Sequence, residues 1–251
     1  MKKNENMQAD YGQDAPGLVL QYFIKGALLV VAGVLLRIWG TSGNRLLHRV
    51  LVGLGSVPLL IGTWYAGLGG AIIWSSRIGK LRERDRLLDT LRLRGDERVL
   101  DVGCGRGLLL IGAAKRLPRG RAVGIDHWSQ VDQADNSESA TRRNAEIEGV
   151  ADRVEICSGD MQRLPFENAS FEAVVASQAI HNIEEREGRR EALGEIVRVL
   201  KPGGRVAVMD FFFVEQFAED LRAFGMQEVQ VSAPSLWMYP TFRTLTASKS
   251  E

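Results

Sequence analysis

Cysteine is almost absent from the 251-residue sequence, which contains only Cys104 and Cys157. Two cysteines cannot form a disulfide framework, and neither belongs to a Cys-x-x-Cys pair or to a cluster with histidine. The same count excludes a structural zinc site, and no other metal site is predicted. We interpret both cysteines as small buried side chains in a reducing compartment.

Charge of one sign is not in excess, because 32 Lys and Arg residues stand against 31 Asp and Glu residues, for a formal net charge of +1. In the C-terminal part the basic residues are interleaved with acidic ones. A nucleic-acid-binding protein usually presents a basic stripe, and none is visible in the sequence. A nucleic-acid partner is therefore not expected.

Charged residues are missing altogether between Val50 and Trp74. Because about 20 apolar residues span the core of a bilayer, this segment is predicted to cross a membrane. An earlier apolar segment, residues 17–39, is interrupted by Gln21 and Lys25, and a signal peptide is its competing interpretation. The predicted division is a polar, mobile tail (residues 1–16), a membrane region (17–76, with two hydrophobic helices at about 17–39 and 50–76) and a soluble domain (77–251).

The positions of the basic residues predict an orientation. Five of them follow the second hydrophobic segment: Arg77, Lys80, Arg82, Arg84 and Arg86. Such a cluster marks the cytoplasmic side of a membrane, so the protein is predicted to be membrane-located with its soluble domain in the cytoplasm. Arg45 and Arg49 are expected in the connection between the segments, which would then lie outside. The alternative is that residues 17–49 lie in the interface as an amphipathic element.

Three small residues in the second segment, Gly62, Ala66 and Gly70, are spaced by four. Small side chains at this spacing let two helices approach closely. The pattern fits packing against the first segment, and it also fits a homodimer formed through this glycine-rich helix.

From residue 77 onward, strand and helix patterns alternate. Strands separated by helices predict βαβ units and a mainly parallel α/β sheet. In such a sheet the ligand lies at the carboxyl ends of the strands, and each motif described below follows one of those ends. A helix is predicted over residues 134–148, and the predicted strands are residues 98–102, 121–126, 153–158, 172–177, 204–211, 228–231 and 242–247.

A glycine loop follows the first predicted strand, where Gly103, Gly105 and Gly107 lead into a helix. Glycine permits a tight turn and a close approach of the backbone to a ligand, and a helix N terminus suits a carboxylate or phosphate. Asp126 ends the second strand about 20 residues later, where an acidic side chain can bind both hydroxyls of a ribose. A solvated loop aspartate is the alternative. Leu108 stands where the related dinucleotide fingerprint has its last glycine.

Two further motifs, residues 159–166 and residues 176–183, follow later strands, and the Leu-Lys-Pro-Gly-Gly turn at residues 200–204 leads into the fifth strand. With the glycine loop and Asp126, they resemble the class I S-adenosylmethionine-dependent methyltransferases, most closely the branch of quinone-biosynthesis and small-molecule enzymes. The resemblance is clearest over residues 97–210 and does not extend to residues 1–76. It implies a Rossmann-like sheet whose final strand is antiparallel, preceded in this chain by two hydrophobic membrane helices.

The resemblance implies S-adenosylmethionine as the cofactor and a role for each matched position. Gly103, Gly105 and Gly107 would line its methionine part, with Cys104 in the same loop. Asp101 would support this loop and reach the amino group of the cofactor, directly or through water.

The adenosine part is assigned in the same way. Asp126 would hold the ribose, and His127 or Trp128 would pack on one face of the adenine. Asp160 would accept a hydrogen bond from the adenine amino group, and Met161 would cover the ring.

Methyl transfer depends on in-line positioning and on desolvation of the acceptor, and Ser177 would lie under the sulfonium end of the cofactor. A base is needed only for a protonated acceptor. His181 is the best candidate because histidine titrates near neutral pH and because it follows the fourth strand; the alternative is that it only shapes the pocket. Asp210 is a weaker candidate. An apolar acceptor wall is predicted from Phe211, Phe212, Phe213, Phe217, Trp237 and Tyr239.

The predicted function is transfer of a methyl group from S-adenosylmethionine to a small, hydrophobic or lipid-like acceptor by a membrane-attached enzyme. The lipid bilayer and this acceptor are the expected partners. One alternative is a catalytically silent cofactor-binding subunit, which the complete set of Asp101, Asp126 and Asp160 disfavours. The other is a dinucleotide-dependent oxidoreductase, which Leu108 and the Leu-Lys-Pro-Gly-Gly turn disfavour.

Overall fold

The computed structural model describes residues 8–13, 15–39, 45–129 and 136–251. These residues form two compact units, one of Gln13–Gly79 and one of residues 8–12 together with residues 80–251. The expectation of a mobile tail is wrong for residues 8–12. Tyr11 is only 8% exposed and belongs to the core of the second unit, because its ring supplies an apolar anchor in an otherwise polar segment.

The first unit is a pair of long apolar helices, α1 (Pro16–Trp39) and α2 (Arg45–Trp74), and α2 continues into a π-helical segment, Ser75–Gly79. Both helices are long and apolar enough to cross a membrane. The expectation that Arg45 and Arg49 lie in a connection is wrong, since both belong to the start of α2. No glycine or proline interrupts residues 45–52, so the helix begins before the uncharged stretch does.

Glycines bring α1 and α2 into close contact. A β-carbon built on Gly26 would lie 2.9 Å from the carbonyl oxygen of Gly62, and one on Gly33 would lie 2.6 Å from that of Gly55. Gly62 therefore packs against the first segment, as one of the two interpretations expects. A β-carbon on Gly70 would meet nothing within 4 Å, and the homodimer stays a prediction.

The second unit is an α/β domain. Along the described part of the chain it consists of α3 (Lys80–Thr90), β1 (Arg98–Val102), α4 (Leu108–Lys115), β2 (Arg121–Asp126), α5 (Glu138–Ile147), β3 (Val154–Ser158), β4 (Phe171–Ser177), α6 (Arg186–Val199), β5 (Leu200–Asp210), α7 (Val214–Ala223), β6 (Gln227–Val231) and β7 (Arg243–Ser248). The strands form one sheet in the order β3-β2-β1-β4-β5-β7-β6. Strands β1 to β5 are parallel, and β7 is antiparallel to both of its neighbours. This confirms the predicted mainly parallel sheet with an antiparallel final strand.

The strand order reverses between β1 and β4. From β1 the chain runs outward through β2 and β3, then crosses back to β4 on the other side of β1. Such a switch point opens a crevice at the carboxyl ends of the two central strands. Strands β1 and β4 are buried on both faces, so the ends of these two strands are rigidly placed.

Two element boundaries differ from the sequence prediction for local reasons. Helix α5 begins at Glu138, because the Ser137 side chain caps it by accepting a hydrogen bond from the Ala140 amide at 3.2 Å. Residues 134–135 of the predicted helix lie outside the described residues. Strand β5 begins at Leu200, because Leu200 already pairs with Phe171 of β4 across an irregularity in the register.

Candidate active site

The glycine loop joins β1 to α4 in a left-handed backbone conformation. Gly103, Gly105 and Gly107 have φ angles of +71°, +49° and +88°, which disfavour residues with a β-carbon. At Gly103 there is also no space, because a β-carbon would stand 2.3 Å from that of Ala179, just after β4. The Gly103 amide donates to the Ile125 carbonyl at 2.8 Å, so the loop is also bonded to the end of β2.

Asp101 supports this loop from beneath. Its side chain is buried, and Oδ2 accepts a hydrogen bond from the Leu110 amide in the first turn of α4 at 2.7 Å. Burial raises the pKa of Asp101 to about 8, and the charge of Asp126 adds to the increase. The geometry matches the predicted supporting role; contact with the amino group of a cofactor stays a prediction.

Cys104 is a packing residue of the loop. Its side chain is buried, and burial raises the pKa of its thiol well above the ordinary value. A β-carbon on Gly124 would lie 2.8 Å from its sulfur atom, so the thiol fills a gap against β2. Cys157 is half-buried, and its thiol donates to the Gly124 carbonyl at 3.5 Å.

Asp126 links the glycine loop to the end of β2. Its Oδ2 atom accepts from the Gly105 amide at 2.8 Å, and Oδ1 accepts from the Trp128 amide at 2.7 Å and from the Asn136 side-chain amide at 3.2 Å. The alternative of a solvated loop aspartate is wrong, because the side chain is buried and holds three donors. Binding of a ribose stays a prediction.

Of the two residues predicted to pack on the adenine, Trp128 is the one held in place. Its indole Nε1 donates to the Ser158 hydroxyl at 2.7 Å, so the ring joins the ends of β2 and β3. The His127 side chain is mostly exposed, with Nδ1 3.9 Å from the Asp126 carboxylate. The structure therefore offers Trp128 as a fixed aromatic surface.

Two further predicted residues, Asp160 and Met161, follow β3. Met161 is buried, and its methyl group lies 3.5 Å from the position of a β-carbon on Gly103. The Asp160 carboxylate accepts from the Gln162 amide at 2.9 Å, which fixes the turn. The structure thus brings Met161 against the glycine loop from which it is separated by more than fifty residues in the sequence.

Ser177 ends β4, the strand beside β1. Its hydroxyl oxygen is buried and has no hydrogen-bond partner among the described residues. Most buried polar atoms in proteins have a partner, so this hydroxyl is a candidate for contact with a ligand.

His181 and Asp210 form a pair at the carboxyl ends of β4 and β5. The Nδ1 atom of His181 lies 2.8 Å from Oδ1 of Asp210, and the two side chains are 13% and 0% exposed. The two atoms are in close contact, but Nδ1 of His181 and Oδ2 of Asp210 have no hydrogen-bond partner among the described residues. Oδ1 also accepts from the backbone amides of Phe211 and Phe212, at 2.8 and 3.3 Å.

The predicted aromatic wall is only partly present. The Phe211 ring lies 4.6 Å from the His181 ring and 4.5 Å from that of Phe212, while Phe212 and Phe213 are exposed. Phe217, by contrast, is fully buried in the core. Trp237 packs elsewhere, with its ring 4.0 Å from the Arg82 guanidinium carbon.

Sequence reasoning missed the residues of α5 that hold the glycine loop. Thr141 is buried, and its hydroxyl donates to the Gly105 carbonyl at 2.6 Å. Asn144 donates from its side chain to the Arg106 carbonyl at 2.9 Å. The pairs are 36 and 38 residues apart, and bonds to backbone carbonyls leave no motif; the only usable signal was the amphipathic helix placed after Asp126.

Comparisons with known proteins agree with this geometry. Residues 99–204 match a family described as a methyltransferase domain. The demethylmenaquinone methyltransferase of Thermus thermophilus is 34% identical over 131 residues, which cover 52% of this chain and 54% of that protein. The 27-O-demethylrifamycin SV methyltransferase of Amycolatopsis mediterranei is 34% identical over 160 residues, covering 60% and 54%.

The fold is shared with solved structures. A crystal structure of a SAM-dependent methyltransferase from Aquifex aeolicus superimposes with a TM-score of 0.54 at 18% identity, covering 67% of this chain and 90% of that one. The chain spans about half the length of the curated relatives it matches. Over the matched residues, the family and sequence matches confirm a methyltransferase domain, and S-adenosylmethionine as its predicted cofactor agrees with the fold shared with the Aquifex aeolicus enzyme. The role of each cofactor-binding residue stays a prediction.

Proposed function

We propose that this chain, through its methyltransferase domain, transfers the methyl group of S-adenosylmethionine to a small hydrophobic acceptor at a membrane. One observation carries the proposal: the glycine loop after β1 packs directly against the segment that carries His181. A β-carbon on Gly103 would stand 2.3 Å from that of Ala179, two residues before His181. A cofactor site and a candidate base are therefore adjacent at one edge of the sheet.

The residues at this edge fit the cofactor. The Ser177 hydroxyl is buried without a hydrogen-bond partner among the described residues. Asp126 holds three donors, and because a carboxylate has about four acceptor positions, we assign the remaining one to a ribose hydroxyl. We assign Trp128 to a face of the adenine. Bound S-adenosylmethionine supplies a methyl group whose bond to sulfur breaks, with its electron pair left on sulfur, as the bond to the acceptor forms.

The His181–Asp210 pair suits an acceptor that carries a proton, such as a hydroxyl group. With Nδ1 facing the Asp210 carboxylate, Nε2 is the basic nitrogen that takes the proton of the acceptor. The carboxylate stabilises the imidazolium that forms. Phe211, at 4.6 Å from the imidazole, helps to exclude water.

A hydrophobic acceptor is proposed from the aromatic residues beside this pair. Phe212 and Phe213 are 55% and 44% exposed, and large exposed apolar side chains next to a polar pair commonly mark a binding surface. The relatives named above act, by their names, on demethylmenaquinone and on 27-O-demethylrifamycin SV. We extend this class of acceptor, quinone-like or another hydrophobic small molecule, to the present chain.

Membrane attachment is proposed from the first unit. Both of its helices are long and apolar enough to span a bilayer, and large apolar side chains such as Leu28, Leu35 and Leu60 are exposed on them. The basic cluster that begins at Arg77 favours a cytoplasmic location for the domain.

The experiment that tests the cofactor site is isothermal titration of the detergent-purified full chain with S-adenosylhomocysteine. Wild type is expected to bind with micromolar affinity, and Asp126→Ala to lose that binding. Asp152→Ala is the matched control, because Asp152 is an exposed aspartate near β3. A folded wild type that binds nicotinamide dinucleotide and not S-adenosylhomocysteine would overturn the proposal.

Turnover is tested with a labelled methyl donor and a lipid extract. Incorporation of label into the lipid fraction by wild type supports the proposed acceptor class. Binding without incorporation into any acceptor would favour the silent cofactor-binding subunit instead.

A further inference from the structure

The side chain of Asn144 joins the N-terminal segment to the glycine loop. Asn144 is 3% exposed. Its Nδ2 donates to the Arg106 carbonyl and to the Asp10 carbonyl, both at 2.9 Å, and its Oδ1 accepts from the Asp10 amide at 3.0 Å. One buried amide therefore binds the backbone of two segments that lie 96 residues apart.

An ion pair links two of the same three residues. The Asp10 carboxylate accepts from the Arg106 guanidinium at 2.7 Å. Arg106 lies between Gly105 and Gly107, so this ion pair and the Asn144 bonds act on the middle of the loop assigned to the methionine part of the cofactor.

The N-terminal segment is also anchored away from the loop. The Tyr11 hydroxyl donates to the Glu148 carboxylate at 3.0 Å, and burial raises the pKa of this phenol. The Lys80 side chain, 4% exposed, donates to the Tyr11 carbonyl at 3.1 Å and to the Gly12 carbonyl. Residues 10–12 are thus held by several bonds, and we call residues 8–12 the strap.

We propose that the strap is part of the cofactor site and that Asn144 is its positioning residue. Cofactor affinity then depends on a segment that precedes the first apolar helix and lies outside the residues matched to the domain family, 99–204. The Asn144 bonds fix the Arg106 carbonyl, which in turn sets the direction of the Gly105 and Gly107 backbone. The inference rests on the proposed cofactor site, but the coupling between strap and loop exists without a ligand.

The test measures binding of S-adenosylhomocysteine by the full chain together with its unfolding temperature. Asn144→Ala is expected to raise the dissociation constant at least tenfold, since the Arg106 carbonyl and the strap both lose the amide that fixes them. Arg142→Ala is the matched control, because Arg142 lies on the same helix and pairs with the exposed Glu138. Binding by Asn144→Ala that equals that of wild type would overturn the proposal.

If Asn144→Ala does not fold, exchanging the charges of Asp10 and Arg106 provides a second test. Asp10→Arg and Arg106→Asp should each weaken binding by roughly five- to tenfold, because like charges then face each other, and the double variant should regain most of the loss. A merely structural role would not produce this recovery. Two single variants that bind like wild type, or a double variant that adds their losses, would contradict the proposed coupling.

Hydrogen exchange of the cofactor-free protein separates this inference from the proposed function. In Asp10→Arg, exchange of the amides of residues 103–110 is expected to accelerate and to slow again in the double variant. This outcome supports the coupling even if wild type fails to bind S-adenosylhomocysteine, which would count against the proposed function alone. Unchanged exchange in Asp10→Arg overturns the inference.

Discussion

The guanidinium carbon of Arg189 lies 3.9 Å from the centre of the Phe213 ring. The same side chain is buried and donates to the carbonyls of Ile183 and Glu184, at 2.7 and 2.8 Å. Arg189 therefore ties the segment after His181 to the aromatic segment after β5. Phe213 needs this support, since its φ angle of +57° is one that side chains rarely adopt.

Replacing Arg189 with methionine should destabilise the fold by about 2–3 kcal/mol, because two backbone carbonyls lose their donor and the ring of Phe213 loses its cation. Urea unfolding followed by circular dichroism measures the change. Arg186→Met is the control, since Arg186 is exposed in the first turn of the same helix, and it should shift stability by less than about 1 kcal/mol. Equal losses of unfolding free energy in the two variants would show that the buried contacts of Arg189 stabilise the fold no more than an exposed arginine does.

The His181–Asp210 pair should govern turnover rather than cofactor binding. His181→Ala is expected to lower methyl transfer to a protonated acceptor by about 10²–10⁴-fold, as general bases do when removed. Asp210→Asn keeps an acceptor for the two backbone amides and should reduce transfer less. Both variants should bind S-adenosylhomocysteine as wild type does. If His181→Ala transfers methyl groups at the wild-type rate across the pH range, the histidine only shapes the pocket.

Asp101 should make the cofactor-free protein less stable at high pH. Its pKa is raised to about 8 in the folded state, so the folded state binds more protons than the unfolded one, and the resulting stability is present at low pH and lost as pH rises through 8. Between pH 6 and pH 8 this loss amounts to roughly 2 kcal/mol. Asp101→Asn keeps an acceptor for the Leu110 amide and should flatten the dependence. Thermal unfolding of wild type and of Asp101→Asn is measured at both pH values. An equal loss of stability in the two proteins would show that Asp101 does not cause the pH dependence.

Gly103→Ala should abolish cofactor binding or prevent folding. The added β-carbon would meet that of Ala179 at 2.3 Å, in addition to the strain of a φ angle of +71°. Gly149→Ala is the matched control, because Gly149 has a φ of +69° but open space around its β-carbon position. The control isolates the backbone strain, about 1 kcal/mol. Similar melting temperatures and affinities for the two variants would show that the contact with Ala179 is not limiting.

The sequence predicted the elements in which local pattern and environment agree. Strands β1 and β2 have the expected bounds, Arg98–Val102 and Arg121–Asp126. Each is a short, mostly apolar run that stops at one of the sequence motifs, which marks its carboxyl end. The glycine loop and Asp126 were found for the same reason. The sequence also predicted that His181 follows the fourth strand and that Asp210 ends the fifth, but it predicted neither the adjacency of these strands nor the pairing of the two side chains.

Contacts between distant segments were not predictable. The bonds of Asp10 with Asn144 join residues 134 apart, and neither residue stands in a motif. A polar N-terminal stretch with one tyrosine has the composition of a mobile tail, and only the shape of the surface formed by α3, α4 and α5 reveals that Tyr11 has a site to fill. The start of α2 was missed because the prediction followed absence of charge, whereas helix formation tolerates arginine.

The anchored strap constrains membrane topology. The chain leaves the domain after residue 12 and returns to it at Lys80, whose side chain is bonded to the carbonyls of Tyr11 and Gly12. If the helix pair enters a bilayer, both of its ends start from the same domain, so an even number of crossings is expected. In that case α1 crosses together with α2, and the alternative with an interfacial first segment would require the strap to leave its site. The even number of crossings, rather than hydropathy alone, then determines whether the weaker hydrophobic segment, α1, spans the bilayer.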